Sequence, residues 1–168
     1  GSEGRTYNQK VWVEPVSNRF GKTVMDKAFR AAAELAREWI ELHPDSIAPM
    51  VLNVTDGQWT GENPTDAART LEELATEAGN VSVFNCQLGR PGSDGRLHRL
   101  TFPSELPTGI DVKTRDIFGL SSELSDAMRS EARERSYSLS DGARGYILNG
   151  DMAQLVDFMN IGTRTDVL

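Results

Sequence analysis

The chain has 168 residues, which is the size of one domain. It contains 18 Lys and Arg against 25 Asp and Glu, and the resulting formal charge of −7 at pH 7 argues against a nucleic-acid ligand. No segment approaches the about 20 apolar residues that cross a bilayer, and the N-terminus lacks a signal peptide's basic and apolar regions. Cys86 is the single cysteine, which excludes an internal disulfide or a cysteine-based zinc site, so we expect a soluble, cytoplasmic protein without a membrane partner.

The chain begins with a polar segment, residues 1–10, that starts with Gly-Ser and that we interpret as a leader or tag remnant. Residues 11–168 are predicted to form the domain. We also interpret the chain as a possible fragment. The β-branched and aromatic run 11–13 predicts a strand. Apolar residues at spacings of three and four predict a helix over 24–42, which ends before Pro44. Its predicted apolar stripe comprises Met25, Ala28, Phe29, Ala32, Leu35, Ala36, Trp39 and Ile40.

The middle of the chain continues the alternation of strand and helix. Residues 50–54 are predicted as a strand that ends in the turn 55–57. Asn63 and Pro64 are typical of a helix start, and Gly79 of its end, with Ala75 and Ala78 on the buried side. A further strand is predicted over 81–88. This order favours an α/β, doubly wound, Rossmann-like and mostly parallel sheet with helices on both faces.

The second half contains shorter elements. The stretch 89–96 is rich in Gly, Pro, Ser and Asp and is predicted to be a loop. The remaining predicted elements are a short strand over 98–102, a short helix over 111–118, a helix over 122–135, a strand over 145–149 and a helix over 151–159.

Two segments contain candidate functional residues. Gly21, Lys22 and Thr23 lie between a predicted strand and helix, as in a nucleotide-binding P-loop, but that loop needs a further glycine where this chain has Val16. Asp56 follows the strand over 50–54, at the edge where open α/β sheets bind ligands, and its carboxylate suits Mg, Ca or Mn. The alternative for residues 21–23 is an ordinary strand-to-helix turn, and the alternative for Asp56 is an aspartate that only stabilises a turn. Together, Thr23 and Asp56 are predicted to lie at the same edge of one sheet.

Six segments, in order, resemble bacterial members of the von Willebrand factor type A (VWA) family. The run 49–57 followed by 63–65 resembles the family's fourth strand and metal loop, and 11–16 with 23–25 resembles its third strand and threonine loop. The later matching segments are 81–88, 118–122 with Met128, 143–146 and 160–164.

The resemblance implies a metal site for protein recognition. Family members hold a divalent ion with an Asp-x-Ser-x-Ser motif, a threonine and an aspartate; the last two correspond to Thr23 and Asp56. No aspartate in this chain is followed by serine at both the second and the fourth position. The implied cofactor is Mg, or Mn or Ca, in an incomplete site, and the implied partner is a protein that contributes an acidic residue.

The same resemblance implies missing structure. The family's sheet order is three, two, one, four, five, six, so a chain that begins at the third strand lacks the first two strands and their helix. A second chain or fragment is expected to supply them, because an apolar strand without its neighbour is a pairing liability.

We therefore expect a non-enzymatic, metal-dependent recognition domain. The alternatives are a metal-free scaffold domain and a nucleotide-binding enzyme that uses Gly21, Lys22 and Thr23. Trp59, in a polar loop beside the predicted site, is expected either to form a contact surface or to pack on its own loop.

Overall fold

The computed structural model describes residues 22–92 and 95–164. They form an α/β structure with a mixed four-stranded sheet, a small hairpin and five helices in the described part of the chain. The predicted leader over 1–10 and strand over 11–13 lie outside the described residues. The elements are α1 (Met25–Leu42), β1 (Met50–Thr55), α2 (Thr65–Glu72), β2 (Ala75–Thr76), β3 (Gly79–Asn80), β4 (Ser82–Gln87), β5 (Leu100–Thr101), α3 (Val112–Gly119), α4 (Asp126–Glu134), β6 (Tyr146–Leu148) and α5 (Met152–Gly162).

The main sheet has the order β1-β4-β6-β5. β1 runs parallel to β4 with Met50 opposite Ser82, and β4 runs parallel to β6 with Asn85 opposite Tyr146. Only β5 is antiparallel, with Leu100 opposite Leu148. The predicted alternation of strands and helices and the mostly parallel sheet are thus confirmed. None of the helices in the described ranges is long and apolar enough to cross a membrane.

Helices cover both faces of the sheet, and consecutive residues of β4 point into different cores. Val83 belongs to a cluster with residues of α1, α2 and α3. Phe84 belongs to a second cluster with residues of α4 and α5, where its ring lies 5.0 Å from that of Phe158. A strand with both faces covered must be apolar on both, which explains why the segment 81–88 shows no clear alternation of apolar and polar residues.

The apolar stripe of α1 differs from the prediction. Ala28, Leu35 and Trp39 were assigned to the buried side but are exposed, whereas Asp26 and Ala33 are buried. The cause is that α1 packs against α2 as well as the sheet, and this contact selects the side of the helix that holds Ala33. A periodic pattern shows that a helix has an apolar face but not which neighbours cover it.

The second helix is shorter than predicted. α2 ends at Glu72, and residues 75–80 form the two-residue strands of a hairpin instead of continuing the helix to Gly79. The Asn80 side chain donates a 3.0 Å hydrogen bond to the Glu72 carbonyl, and the backbone N–H of Val81 donates to the Leu74 carbonyl. These bonds satisfy groups that a longer helix would have paired internally. Ala75 and Ala78 are accordingly exposed, not buried as predicted.

Side-chain caps fix the helix starts in the second half. Asp111 accepts a hydrogen bond from the Thr114 N–H at the start of α3, and Ser125 accepts one from the Met128 N–H at the start of α4. The second cap explains why the helix begins at Asp126, later than the predicted residue 122. Asp151 and Gln154 form a reciprocal capping box at the start of α5.

Candidate functional site

The carboxyl edge of the sheet brings together the two segments that contain the predicted metal ligands. Thr23 lies just before α1, and Asp56 lies directly after β1. The backbone N–H of Thr60, in the loop after β1, donates a 2.8 Å hydrogen bond to the Thr23 carbonyl. The α1 start is therefore tied to the loop that Asp56 begins.

Hydrogen bonds within the loop hold Asp56 in a tight turn. Its Oδ1 accepts the Gln58 N–H at 3.0 Å, while the Thr55 hydroxyl accepts the Gly57 N–H at 3.0 Å. Gly57 has φ +75°, and a Cβ atom there would collide with the Gln87 amide. Glycine is required both for the positive φ and for the close approach of the loop to β4.

The side chains of Thr23 and Asp56 are both exposed, and no hydrogen bond joins them in residues 22–92 and 95–164. Hydroxyl and carboxylate oxygens are the donor types that Mg and Ca prefer, so the two residues fit such an ion chemically. Two residues are few for such a site, because these ions bind about six or more oxygen ligands. Nowhere in the described ranges do three or more His, Cys, Asp or Glu residues form a group able to hold a metal.

Asp26 also lies near this edge and was not predicted as a site residue. Asp26 lies in the first turn of α1 and is only 4 % exposed, and its Oδ1 has no hydrogen-bond partner among the described residues. It lies beside the β1–α2 loop, since a Cβ atom built on Gly61 would be 3.7 Å from this oxygen. Its burial could have been predicted from its position three residues before Phe29, within the apolar pattern of the helix.

A buried polar chain underlies the loop. The Tyr146 hydroxyl donates to Gln87 Oε1, and Gln87 Nε2 donates to Thr114 Oγ1, both at 2.8 Å. The Thr114 hydroxyl in turn donates to Asp111 Oδ2 at 2.6 Å. Burial opposes the ionisation of Asp111, but hydrogen bonds from Thr114 and from the backbone of Asp111 and Lys113 together outweigh it and lower the pKa of Asp111. Burial raises the pKa of Tyr146.

A second polar chain links β1, β4 and the end of α3. Asn53 Nδ2 donates to Asn85 Oδ1 at 2.8 Å, and Asn85 Nδ2 donates to the Ser121 hydroxyl at 2.9 Å. Satisfied polar groups inside a sheet core define its register, because a slip of one residue would leave them buried and unpaired.

Trp59 packs within the protein. It is half-buried against the core cluster formed by the sheet and α1, α2 and α3, and its carbonyl accepts a 2.8 Å hydrogen bond from Lys113 Nζ. The same ammonium lies 4.9 Å from the indole centroid. Trp59 therefore packs, as one of the two predictions held, but against the core cluster and Lys113 of α3 and not on its own loop.

Two further residues or segments singled out in the sequence are Cys86 and the P-loop-like segment 21–23. Cys86 is buried, and burial raises the pKa of its thiol, which disfavours the reactive thiolate. Gly21 of the P-loop-like segment lies outside the described residues, and Lys22 and Thr23 are exposed.

Comparison with known proteins gives no match: no family model fits the chain, and neither a curated protein nor a solved structure is significantly similar to it.

Proposed function

We propose that the chain is a VWA-type domain for divalent-metal-dependent recognition of another protein, and not an enzyme. The observation that carries the proposal is the 2.8 Å hydrogen bond between the Thr60 N–H and the Thr23 carbonyl, which joins the two loops of the predicted site. These loops lie at the carboxyl edge of the parallel strands, where α/β sheets bind ligands.

In this proposal, Thr23 contributes its hydroxyl and Asp56 its carboxylate, directly or through water. Mg is the expected ion, with Mn or Ca as substitutes, and its role is to offer an open coordination position to an acidic side chain of the partner protein. The other ligands come from water, from the partner or from a further chain that supplies the family's first strands. The affinity for metal of this chain alone is therefore expected to be weak.

A metal-free interaction domain is the second candidate. It is favoured by the lack, within residues 22–92 and 95–164, of three acidic, histidine or cysteine side chains grouped for metal binding. The two candidates share the fold and differ in whether Asp56 binds an ion.

Titration with Mn²⁺, followed by the relaxation of water protons, distinguishes them because it detects weak binding. We expect saturable binding that weakens roughly tenfold or more, about 1.4 kcal/mol, in Asp56→Asn and in Thr23→Val. The matched control is Asp66→Asn, another exposed aspartate, which lies in the first turn of α2. Equal binding by the wild type and all three variants would contradict the proposed site. A parallel titration with ATP tests the enzyme alternative, because binding that is lost in Lys22→Ala would support a nucleotide site.

A further inference from the structure

Asp26 carries a buried carboxylate oxygen that lacks a partner. The residue is 4 % exposed, and Oδ1 makes no hydrogen bond within residues 22–92 and 95–164. Lys22 and Lys27, the basic residues nearest to it in sequence, are both exposed. Removing a carboxylate from water without giving it a donor or a cation is costly. An unsatisfied oxygen of this kind therefore indicates a water molecule or an ion bound beside it.

The unpartnered oxygen of Asp26 lies next to the loop that follows β1. An atom at the Cβ position of Gly61 would be 3.7 Å from Oδ1. Gly61 has φ +92° and no side chain, so the space on this side of Oδ1 stays open. One residue earlier in the loop, the Thr60 N–H donates its 2.8 Å hydrogen bond to the Thr23 carbonyl. The oxygen therefore lies beside the same two segments that carry the proposed metal ligands.

A second unpartnered atom lies in the same loop. Trp59 Nε1 is buried and has no acceptor in the described part of the chain, although the carbonyl and the ring of Trp59 both contact Lys113. Asp26 thus lacks a donor, and Trp59 lacks an acceptor. Water both donates and accepts hydrogen bonds, whereas a metal ion in direct contact would satisfy only the carboxylate. The two atoms together favour water at this place.

The chemistry of the proposed ion fits such a water. Mg²⁺ dehydrates reluctantly and keeps several waters when it binds to a protein, and groups behind the direct ligands orient what the ion binds. Thr23 supplies a neutral oxygen and Asp56 one negative charge, which leaves one charge of a divalent ion unbalanced. Asp26, in the first turn of α1, supplies the second negative charge.

We propose that Asp26 is a positioning residue of the cation site, whose Oδ1 accepts a hydrogen bond from a water molecule bound to the divalent ion. The inference rests on the proposed function, in which Thr23 and Asp56 bind the ion. Asp26 orients the bound water and balances the charge of the ion, while its own contact with the ion stays indirect. Because Oδ1 makes no bond among the described residues, its role is specific to the metal-bound form.

Two substitutions separate the charge of Asp26 from its hydrogen bond, with Mn²⁺ binding measured by the relaxation of water protons. Asp26→Ala removes both and is expected to weaken binding at least about tenfold, as is usual for groups behind the metal ligands. Asp26→Asn keeps an acceptor oxygen, so its affinity should lie between those of the wild type and Asp26→Ala. The matched control is Asp66→Asn, which should bind like the wild type. Asp66 is the second residue of α2, as Asp26 is of α1, but it is exposed.

Urea unfolding without metal distinguishes a role in binding from a role in folding. Asp26→Asn should unfold at a urea concentration no lower than Asp66→Asn, because both lose a favourable charge at a helix start and Asp26→Asn also removes a buried charge. A lower midpoint in Asp26→Asn, together with weaker Mn²⁺ binding, would overturn the proposal, since a damaged fold would then explain the loss of affinity.

Asp56→Asn separates a failure of this inference from a failure of the proposed function. Weaker binding in Asp56→Asn together with wild-type binding in Asp26→Ala would overturn the role of Asp26 alone and leave Oδ1 with an isolated water. Equal binding by the wild type and Asp56→Asn, or no saturable binding by the wild type, would overturn both. The proposal predicts that Asp26→Ala has a smaller effect in the Asp56→Asn background than in the wild type, because both residues act on one ion.

Discussion

The two edges of the main sheet are built differently. β5, at one edge, has only two residues, is antiparallel to β6, and is followed by Phe102 at φ +52° and then by Pro103. β1, at the other edge, has six residues, runs parallel to β4 and contains neither proline nor a charged residue. Short strands and nearby prolines are the usual means by which sheets prevent further pairing.

This difference indicates what each edge is suited for. The β5 edge carries the features of a sheet that ends there. The β1 edge lacks those features, and the groove between α1 and the start of β1 is lined almost entirely by apolar side chains, as expected beside an inner strand. We therefore interpret β1 as a strand whose second neighbour comes from another chain.

The largest expected effect is a difference in the free energy of unfolding between substitutions in the inner strand β4 and in the edge strand β1. Phe84→Ala in β4 should lower the free energy of unfolding by about 3–5 kcal/mol, because the ring is fully buried and its loss leaves a cavity. Val54→Ala in β1 should cost less than about 1 kcal/mol, because the side chain is 58 % exposed. Urea unfolding of both variants measures the difference. Similar losses would contradict the assignment of β1 as a half-covered strand.

The loop at the end of β1 can be tested with a pair of glycines that have nearly the same φ. Gly57→Ala should cost about 1–3 kcal/mol more than Gly142→Ala, because the new methyl group displaces Gln87 from its hydrogen bonds to Thr114 and Tyr146. Gly142 has φ +74° with nothing within 4 Å of a built Cβ, so it reports the backbone strain alone. Thermal or urea unfolding measures the free energy of unfolding of both variants. Equal losses of stability would contradict this prediction, because Gln87 would then move aside at no cost in free energy.

A smaller effect concerns Asp111, the N-cap of α3, whose Oδ2 accepts the hydrogen bond from the Thr114 hydroxyl. Its lowered pKa means that the ionised form stabilises the folded protein above the ordinary value of about 4, and that this stability is lost as the pH falls through the lowered pKa. Asp111→Asn should therefore be less stable than the wild type at pH 6, and the difference in stability between the two should shrink as the pH falls through the lowered pKa. Urea midpoints across this range measure it, and a difference that widens on acidification would contradict the assignment.

Much of the fold could be predicted because its signals are local. The spacing of apolar residues and Pro44 predicted α1, and the run over 81–88 predicted β4. The hairpin after Glu72 could not be predicted, because it depends on the Asn80 side chain reaching the Glu72 carbonyl across the turn. The exposure of Leu35 and Trp39 was missed because the pattern of a helix cannot reveal that one flank lacks a neighbour.

The candidate site was only partly predictable. Thr23 and Asp56 were assigned to one edge from topology, and the Thr60 bond to Thr23 is consistent with that placement. The burial of Asp26 and the chain from Tyr146 to Asp111 join residues far apart in sequence, so no local spacing could indicate them.

The central claim is that the β1 backbone groups facing away from β4, which have no partner among the described strands, are unpaired in this chain. Hydrogen exchange of individual backbone amides tests it most directly. We predict that the amides of Leu52 and Val54, which face away from β4, exchange at least about a hundredfold faster than those of Val51 and Asn53, which alternation directs toward β4. The Asn85 amide, bonded to the Gly145 carbonyl, provides the protected reference. Protection of Leu52 and Val54 equal to that of Asn85 would mean that the edge is already paired, and would contradict the account.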